Sequence, residues 1–189
     1  MTQVQRFGDF LAEEPEVAAP RLLGADLVSS VGADEVRVRI NEVEAYKGEE
    51  DPASHAYRGE TVRNGSMFRK PGTLYVYRSY GIHTCANTAA GPEGVGWGIL
   101  IRGGEVIDGE HIAVKRRGRR RDLANGPGKL CQALGITIDL NGTDLLDSTS
   151  IVRLEQGESP EMVMATPRIG ISKAMDVPWR FVSASQLSA

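Results

Sequence analysis

The stretch EVRVRINEVEAY, residues 35–46, decides the fold. It alternates β-branched and charged residues, a pattern that predicts a long strand with one buried face. If no bulge intervenes, Glu44 shares a face with Val36, Val38 and Ile40, since alternate residues of a strand lie on the same side. A carboxylate on an apolar face needs hydrogen bonds or a functional reason, because burial of an uncompensated charge is costly. The alternative is a glutamate at a strand end that has reached solvent.

Around this strand, turn signals separate further short runs of β-type composition, at 25–30, 73–78, 82–87 and 96–102. Helices are predicted at 16–23 and 127–134; the second has Pro in its first turn and Gly just after its end. This order predicts an α+β fold, with a curved antiparallel β-sheet, flanking helices and a protruding β-hairpin. A chain of 189 residues predicts one domain, 1–189, with an exposed basic loop at 115–121.

The composition excludes several classes of protein. With 41% apolar and 25% charged residues, the chain is neither disordered nor fibrous. No apolar run approaches the roughly 20 residues of a membrane span, so no membrane partner is expected. The first residues do not resemble a secretory signal, and we expect a cytoplasmic protein, associated with the nucleoid if bacterial. Cys85 and Cys131 are too few for a disulfide framework, and no His/Cys spacing predicts a metal site.

Charge is distributed unevenly along the chain. Residues 58–129 hold 13 Lys and Arg against 6 Asp and Glu, whereas the whole chain has a net charge of -3. A basic segment in an acidic chain favours a face that binds an anionic polymer, because phosphates respond to local patches of charge. A solvated face without a partner is the alternative.

The segment TLYVYRSYGIHTCAN, residues 73–87, contains two β-type runs around Ser79-Tyr80-Gly81. Tyr80 is therefore expected at or beside the tip of a hairpin. An aromatic residue at an exposed tip has little packing reason to be there. It could instead fold back over the hairpin as a local lid.

Several motifs in order resemble one known family. These are EAY at 44–46, His55, RNGSMFRKPGTLYVY at 63–77, YG at 80–81, Asn87 and GPGKLCQAL at 126–134. Together they are similar to the alkyladenine (3-methyladenine, or methylpurine) DNA glycosylase family. The resemblance extends from about residue 25 to about residue 171 and does not cover the basic stretch at 115–121.

The resemblance implies a role for each matching residue. Glu44 is implied to be the general base that activates a water, and Tyr80 the wedge that fills the space of a flipped nucleotide. The substrate pocket is implied to contain Tyr46, His55, Tyr77, Asn87 and Arg102, with Asn87 excluding the exocyclic amino group of guanine. A second carboxylate two residues away, Glu42, leaves a paired-carboxylate mechanism as a weaker alternative.

The implied activity is that of a monofunctional DNA glycosylase of base-excision repair, which flips alkylated or deaminated purines out of duplex DNA and hydrolyses the N-glycosidic bond. The partner is double-stranded DNA with a damaged purine, no cofactor or metal is expected, and the enzyme is expected to be a monomer. Arg63, Arg69, Lys70 and Lys129 are candidates for phosphate contacts. Two other functions are kept as alternatives: a non-catalytic nucleic-acid-binding module and a hydrolase of free nucleosides.

Overall fold

The computed structural model describes residues 7–32 and 34–183. Three helices pack against one curled antiparallel sheet, which confirms the predicted α+β class. The helices are α1 (Pro15–Leu22), α2 (Glu110–Arg117) and α3 (Pro127–Leu134). The strands are β1 (Asp26–Ser29), β2 (Val36–Lys47), β3 (Leu74–Ser79), β4 (His83–Ala90), β5 (Trp97–Asp108), β6 (Val152–Glu155), β7 (Val163–Thr166) and β8 (Arg180–Ser183).

The sheet is organised around β2. Its order is β3-β4-β5-β2-β1-β6, and β8 pairs with β2 and β7. The first half of β2 pairs with β1, and the residues from Glu42 to Glu44 pair with β8 on the same edge. The five runs predicted as strands all form strands, whereas β6, β7 and β8 had not been predicted. The sequences of β7 (VMAT) and β8 (RFVS) show no strict alternation of apolar and polar residues, whereas β6 (VRLE) alternates and could have been predicted.

A bulge in β2 changes which face Glu44 occupies. Ile40 pairs with Gly104 and Glu42 with Gly103, so Asn41 has no opposite residue on β5. Beyond the bulge Val43 and Ala45 continue the core face that Ile40 belongs to. Our expectation that Glu44 shares the face of Val36, Val38 and Ile40 is therefore wrong, because one inserted residue reverses the alternation. Glu44 lies on the opposite face of the sheet and is nevertheless fully buried.

The helix at 127–134 is confirmed as α3. It begins with Pro127 at its first position and ends at Gly135, which has the left-handed φ of 69° that favours glycine. Its buried side chains join the main core beneath the sheet. The start of α3 packs closely against the β3–β4 hairpin. A Cβ atom added to Gly128 would lie only 3.1 Å from the Cβ of His83, so glycine allows this close approach.

The expected loop at 115–121 is wrong for its first three residues, which form the last turn of α2. Arg116 donates hydrogen bonds to the backbone carbonyls of Ala133 and Val31, and Arg117 donates to Gln132. Arg116 thereby caps the last turn of α3 through the Ala133 carbonyl, one of the carbonyls that a helix end leaves without a partner in the helix, which a pattern of charge alone does not reveal. Residues 119–121 follow as an exposed segment.

No helix within the described residues is long and apolar enough to cross a membrane.

Candidate active site

One row of residues crosses four strands on the face of the sheet opposite the main core. Tyr75 on β3 pairs with Asn87 on β4, Asn87 pairs with Leu100 on β5, and Leu100 pairs with Glu44 on β2. Directly opposite residues of neighbouring strands bring their side chains close together on one face. The sheet therefore assembles a site from residues up to 56 positions apart in the sequence, from Glu44 to Leu100.

Glu44 is surrounded by hydrogen-bond donors. Its Oε2 accepts a hydrogen bond of 2.7 Å from the Tyr46 hydroxyl, and its Oε1 accepts one of 2.7 Å from the backbone N–H of Ile169. Arg102 Nη1 lies 3.2 Å from the same Oε1. Tyr46 and Ile169 donate hydrogen bonds to Glu44, and the Arg102 guanidinium forms an ion pair with it. Two carboxylate oxygens can accept about four hydrogen bonds, so Glu44 keeps acceptor capacity, although its side chain is fully buried.

A second carboxylate, Glu42, is neutralised by two arginines. Arg102 Nε lies 2.8 Å and Arg180 Nε 2.6 Å from its Oε1. Burial opposes ionisation of Glu42, but the hydrogen bonds from Arg180 and Arg102 outweigh it and hold the pKa of Glu42 below its ordinary value. Burial likewise opposes the charge of Arg102, whereas Glu44 and Glu42 raise its pKa above the ordinary value. Arg102 thus contacts both carboxylates, Glu42 through Nε and Glu44 through Nη1.

Three aromatic rings form one wall of the site. The His55 ring lies edge-on to Tyr77, with centroids 4.4 Å apart, and its Nδ1 is 3.1 Å from the Tyr75 hydroxyl. Tyr75 and Tyr77 stack with centroids 5.5 Å apart. Burial raises the pKa of Tyr75 to about 12, and burial together with the charge of Arg63 lowers the pKa of His55. The wall is therefore uncharged near neutral pH and offers flat faces for stacking.

Tyr46 forms the opposite side. Its hydroxyl bonds to Glu44, and the guanidinium carbon of Arg168 lies 4.7 Å from the centre of its ring. Burial and the neighbouring Glu44 carboxylate raise the pKa of Tyr46 above its ordinary value, so the phenol keeps its proton.

These residues enclose a cavity of about 530 Å³. Glu44 lies beneath it and contacts two residues of its lining, Tyr46 and Arg102. The lining contains seven of the residues predicted from the sequence: Tyr46, His55, Arg63, Tyr77, Tyr80, Asn87 and Arg102. It also contains residues that the sequence had not indicated as functional, among them Met67, Tyr75, Cys85, Leu100 and the segment 169–173.

Comparison with known proteins identifies the family of this chain. Residues 9–187 match the family model described as methylpurine-DNA glycosylase. The chain belongs to the methylpurine-DNA glycosylase family. It is therefore a DNA-repair enzyme, a hydrolase of N-glycosyl bonds. The family that the sequence motifs resembled is confirmed.

Three relatives carry the provisional name 3-methyladenine DNA glycosylase. The protein from Rhodococcus jostii (strain RHA1) is 52% identical over 176 residues, which cover 89% of this chain and 77% of the relative. A protein from Nocardia farcinica (strain IFM 10152) is 48% identical over 181 residues, with 90% and 84% covered. A protein from Mycobacterium tuberculosis (strain ATCC 25618 / H37Rv) is 47% identical over 178 residues, with 90% and 85% covered.

The β3–β4 hairpin of this glycosylase carries Tyr80 at the rim of the cavity. Three residues, Tyr80, Gly81 and Ile82, join the paired residues Ser79 and His83. Tyr80 is 88% exposed and has a φ of 50°, in the left-handed region that only a few per cent of non-glycine residues adopt. The turn geometry therefore directs a large aromatic side chain into solvent, and it is not a packed lid.

The four phosphate-contact candidates of the glycosylase occupy different environments. Arg63 lines the cavity and donates to the Arg78 carbonyl at 3.2 Å, and Arg69 is exposed. Lys70 Nζ lies 2.6 Å from Asp144, and Lys129 Nζ donates to Asn125 at 2.9 Å. Of the four, Arg63 alone lines the cavity.

Two features of the candidate site were not predicted from the sequence. Tyr75 shares the strand alternation of Tyr77, so the pattern of β3 could have indicated it. Arg168 and the segment 169–173 had no local signal, because their partners lie more than 100 residues earlier in the chain. Across residues 7–32 and 34–183, no three His, Cys, Asp or Glu residues are grouped so as to hold a metal ion.

Proposed function

We propose that this enzyme is a monofunctional, monomeric glycosylase of base-excision repair, which flips alkylated or deaminated purines out of duplex DNA and releases them by hydrolysis. The observation that carries the proposal is the position of Glu44, a buried carboxylate held by three donors beneath a cavity with aromatic walls. The provisional name of the relatives, 3-methyladenine DNA glycosylase, supports an alkylated purine as substrate.

The size of the cavity supports base flipping. A cavity of about 530 Å³ is within the roughly 300–1,000 Å³ of small-molecule sites, so it accepts a nucleotide but not a duplex. A base must therefore leave the stack, at a cost of a few kcal/mol. Stacking on an aromatic ring contributes roughly 1–3 kcal/mol per base, and the Tyr46, His55 and Tyr77 rings are placed to supply it. Tyr80 at the rim is placed to fill the space that the base vacates.

The proposed reaction uses Glu44 as a general base. A water bound to its free acceptor position gives one proton to the carboxylate while its oxygen forms a bond to the sugar C1′ carbon. The electron pair of the C1′–N9 bond moves onto the purine, which leaves. A purine alkylated at N3 or N7 is cationic and leaves neutral, whereas a deaminated purine leaves as an anion that solvent protonates. We therefore expect alkylated purines to be released faster. General-base assistance typically contributes about 10²- to 10⁴-fold.

Selection against normal guanine is assigned to Asn87. Its side-chain amide donates to the Tyr75 carbonyl at 3.1 Å and is 6% exposed, so the side chain has a fixed position in the wall. A side chain that cannot move aside excludes a purine whose exocyclic amino group would occupy the same space. The role comes from the resemblance to the family; the hydrogen bond supplies the rigidity that the role needs.

Contacts with the phosphate backbone are assigned to Arg63, Arg69, Lys70 and Lys129. The Lys70 pair with Asp144 is largely exposed, so it contributes little to stability and can exchange for a phosphate. Lys129 lies in the first turn of α3, where free N–H groups and the helix dipole favour an anion.

The experiment compares Glu44→Gln with the matched control Glu42→Gln on duplexes that contain 7-methylguanine or hypoxanthine, with free inosine in parallel. Glu44→Gln is expected to abolish base release while it still binds the damaged duplex, because the stacking partners remain. Glu42→Gln should retain much more activity. Turnover of Glu44→Gln within a few-fold of the unchanged enzyme would place the base elsewhere, and cleavage of inosine would indicate a nucleoside hydrolase.

The monofunctional step is tested in the same reactions. The product strand should break only after alkali treatment, and borohydride should trap no covalent enzyme–DNA adduct. A trapped adduct would indicate an amine nucleophile, for which Lys173 at the cavity is the candidate.

A further inference from the structure

Residues 168–173, which we call the pocket strap, cross the cavity without regular secondary structure. Ladder hydrogen bonds hold the chain up to Thr166 and again from Arg180. In the described part of the chain, two neighbouring residues supply the hydrogen bonds of the strap. Ile169 donates its backbone N–H to Glu44, and Arg168 donates from its side chain. The contacts that hold Arg168 therefore also position the Ile169 N–H that binds Glu44.

Arg168 is anchored inside the protein. Its side chain and that of Asp51 are both 0% exposed, and the two form a bidentate ion pair with Nη2–Oδ1 and Nη1–Oδ2 distances of 2.9 and 2.5 Å. Nη1 also donates to the Ala45 carbonyl at 3.0 Å. The guanidinium lies between two rings, with its carbon 4.7 Å from the centre of Tyr46 and 5.3 Å from that of Trp179.

Asp51 is itself fixed by its own loop. Its Oδ1 accepts the Ala53 N–H at 3.0 Å, and its backbone carbonyl accepts the Ser54 N–H at 2.8 Å. His55 follows directly and forms part of the aromatic wall. One ion pair thus connects the strap, the Tyr46 ring and the loop that carries His55.

Stability alone is a weak reason for this pair. A buried ion pair loses its hydration, and apolar replacements of similar volume are often as stable or more so. The Nε atom of Arg168 is also buried without a hydrogen-bond partner among the described residues, which adds a further cost. The planar guanidinium of Arg168 instead defines a geometry. Its two hydrogen bonds to Asp51 hold Arg168, and with it the adjacent Ile169, at a set distance and orientation.

We propose that Arg168, braced by Asp51, is a positioning residue for hydrolysis, which holds the Ile169 N–H on Glu44 and the Tyr46 ring against the pocket. The inference rests on the proposed role of Glu44 as the general base. Arg168 touches neither the water nor the nucleotide in this arrangement. Its effect passes through Ile169 and Tyr46, so a loss of Arg168 should slow the chemical step more than it weakens binding.

The test uses Arg168→Lys, Asp51→Asn and the double variant, with Arg153→Met as the matched control. Arg153 is on β6, where it forms ion pairs with Glu35 and with Glu155. It does not line the cavity. Lysine keeps the charge of Arg168 but loses the fork and the stacking surface. Because a displacement of about 1 Å can cost 10²-fold, we expect single-turnover excision to fall by about 10- to 100-fold. The apparent dissociation constant for the lesion duplex should stay within about three-fold of the unchanged enzyme.

Two further measurements exclude a merely structural role. The double variant should be no slower than the slower single variant, because both substitutions break the same pair. Amide hydrogen exchange of Ile169 should accelerate at least ten-fold in either single variant, while the Ile40 amide in the core of β2 keeps its protection. Arg153→Met should change neither excision nor exchange at Ile169. If Arg168→Lys fails to fold, Asp51→Asn carries the same test.

The outcomes are distinct. Unchanged excision per folded molecule in Arg168→Lys and Asp51→Asn, or rate losses that multiply in the double variant, would overturn the positioning role. If excision is unchanged in these variants but Glu44→Gln is inactive, this inference fails and the proposed function stands. If Glu44→Gln remains active, the proposed role of Glu44 as the general base fails, and the exchange of Ile169 still reports whether Arg168 places the strap.

Discussion

Replacing Tyr80 by alanine separates a role in DNA from a role in folding. The side chain is 88% exposed, so its truncation removes almost no buried surface. Tyrosine and alanine at position 80 have a similar unfavourable backbone energy at a φ of 50°, since neither is glycine. We therefore expect the free energy of unfolding to change by less than about 0.5 kcal/mol, which shifts the melting temperature by about 1–2 °C in a chain of this size.

The effect on DNA should be much larger. A ring that fills the space of a flipped base contributes roughly 1–3 kcal/mol of stacking. Because 1.4 kcal/mol corresponds to ten-fold, the population with a flipped base should fall by about 5- to 150-fold. A mispaired lesion should lose less, since its base is already loosened and the wedge has less unstacking to offset.

The assay measures single-turnover excision of hypoxanthine, paired and mispaired, with enzyme in excess over DNA, together with thermal unfolding. Met162→Ala is the control, because Met162 is also well exposed, at 61%, but does not line the cavity. A packed lid would instead show a loss of about 3–5 kcal/mol in stability. A destabilised Tyr80→Ala with undiminished excision per folded molecule would refute the wedge.

Three further outcomes are expected. Affinity for duplex DNA should fall steeply as the salt concentration rises, and an affinity that does not change with salt would contradict a phosphate-binding face. Lys129→Ala should weaken binding to damaged and undamaged duplex alike. It should also reduce the slope of the logarithm of the binding constant against the logarithm of salt concentration by about 0.9. Excision should survive EDTA, and a loss that zinc or magnesium restores would contradict the reaction given. The folded state holds the pKa of His55 below 6.5 by burial, so the unfolded chain binds more protons and stability should decrease as pH falls through 6.5. His55→Gln should flatten this part of the curve of melting temperature against pH, whereas an equal slope in both proteins would rule out His55 as its source.

Local sequence was sufficient for several parts of the molecule. The Pro and Gly around 127–134 define α3, because Pro favours the first turn of a helix and Gly the left-handed residue after it. The alternation at 35–46 defines β2, and the two runs around Tyr80 define the hairpin tip. In each case residues a few positions apart decide the backbone, so a short window contains the physical cause. The motifs also identified the family and seven of the residues that line the cavity.

Only the tertiary structure decided which residues surround Glu44. The bulge at Asn41 moves Glu44 away from the core face. It arises in the pairing of β2 with β5, which are far apart in the sequence, so no short stretch of sequence indicates it. The donors around Glu44 come from Arg102 and from Ile169, 125 positions later. Arg168 reaches Asp51 across 117 positions. Such contacts form because folding brings distant polar groups into one buried volume, where each must find a partner. The sequence by itself determined which residues were available for the site; the fold decided which of them could act together.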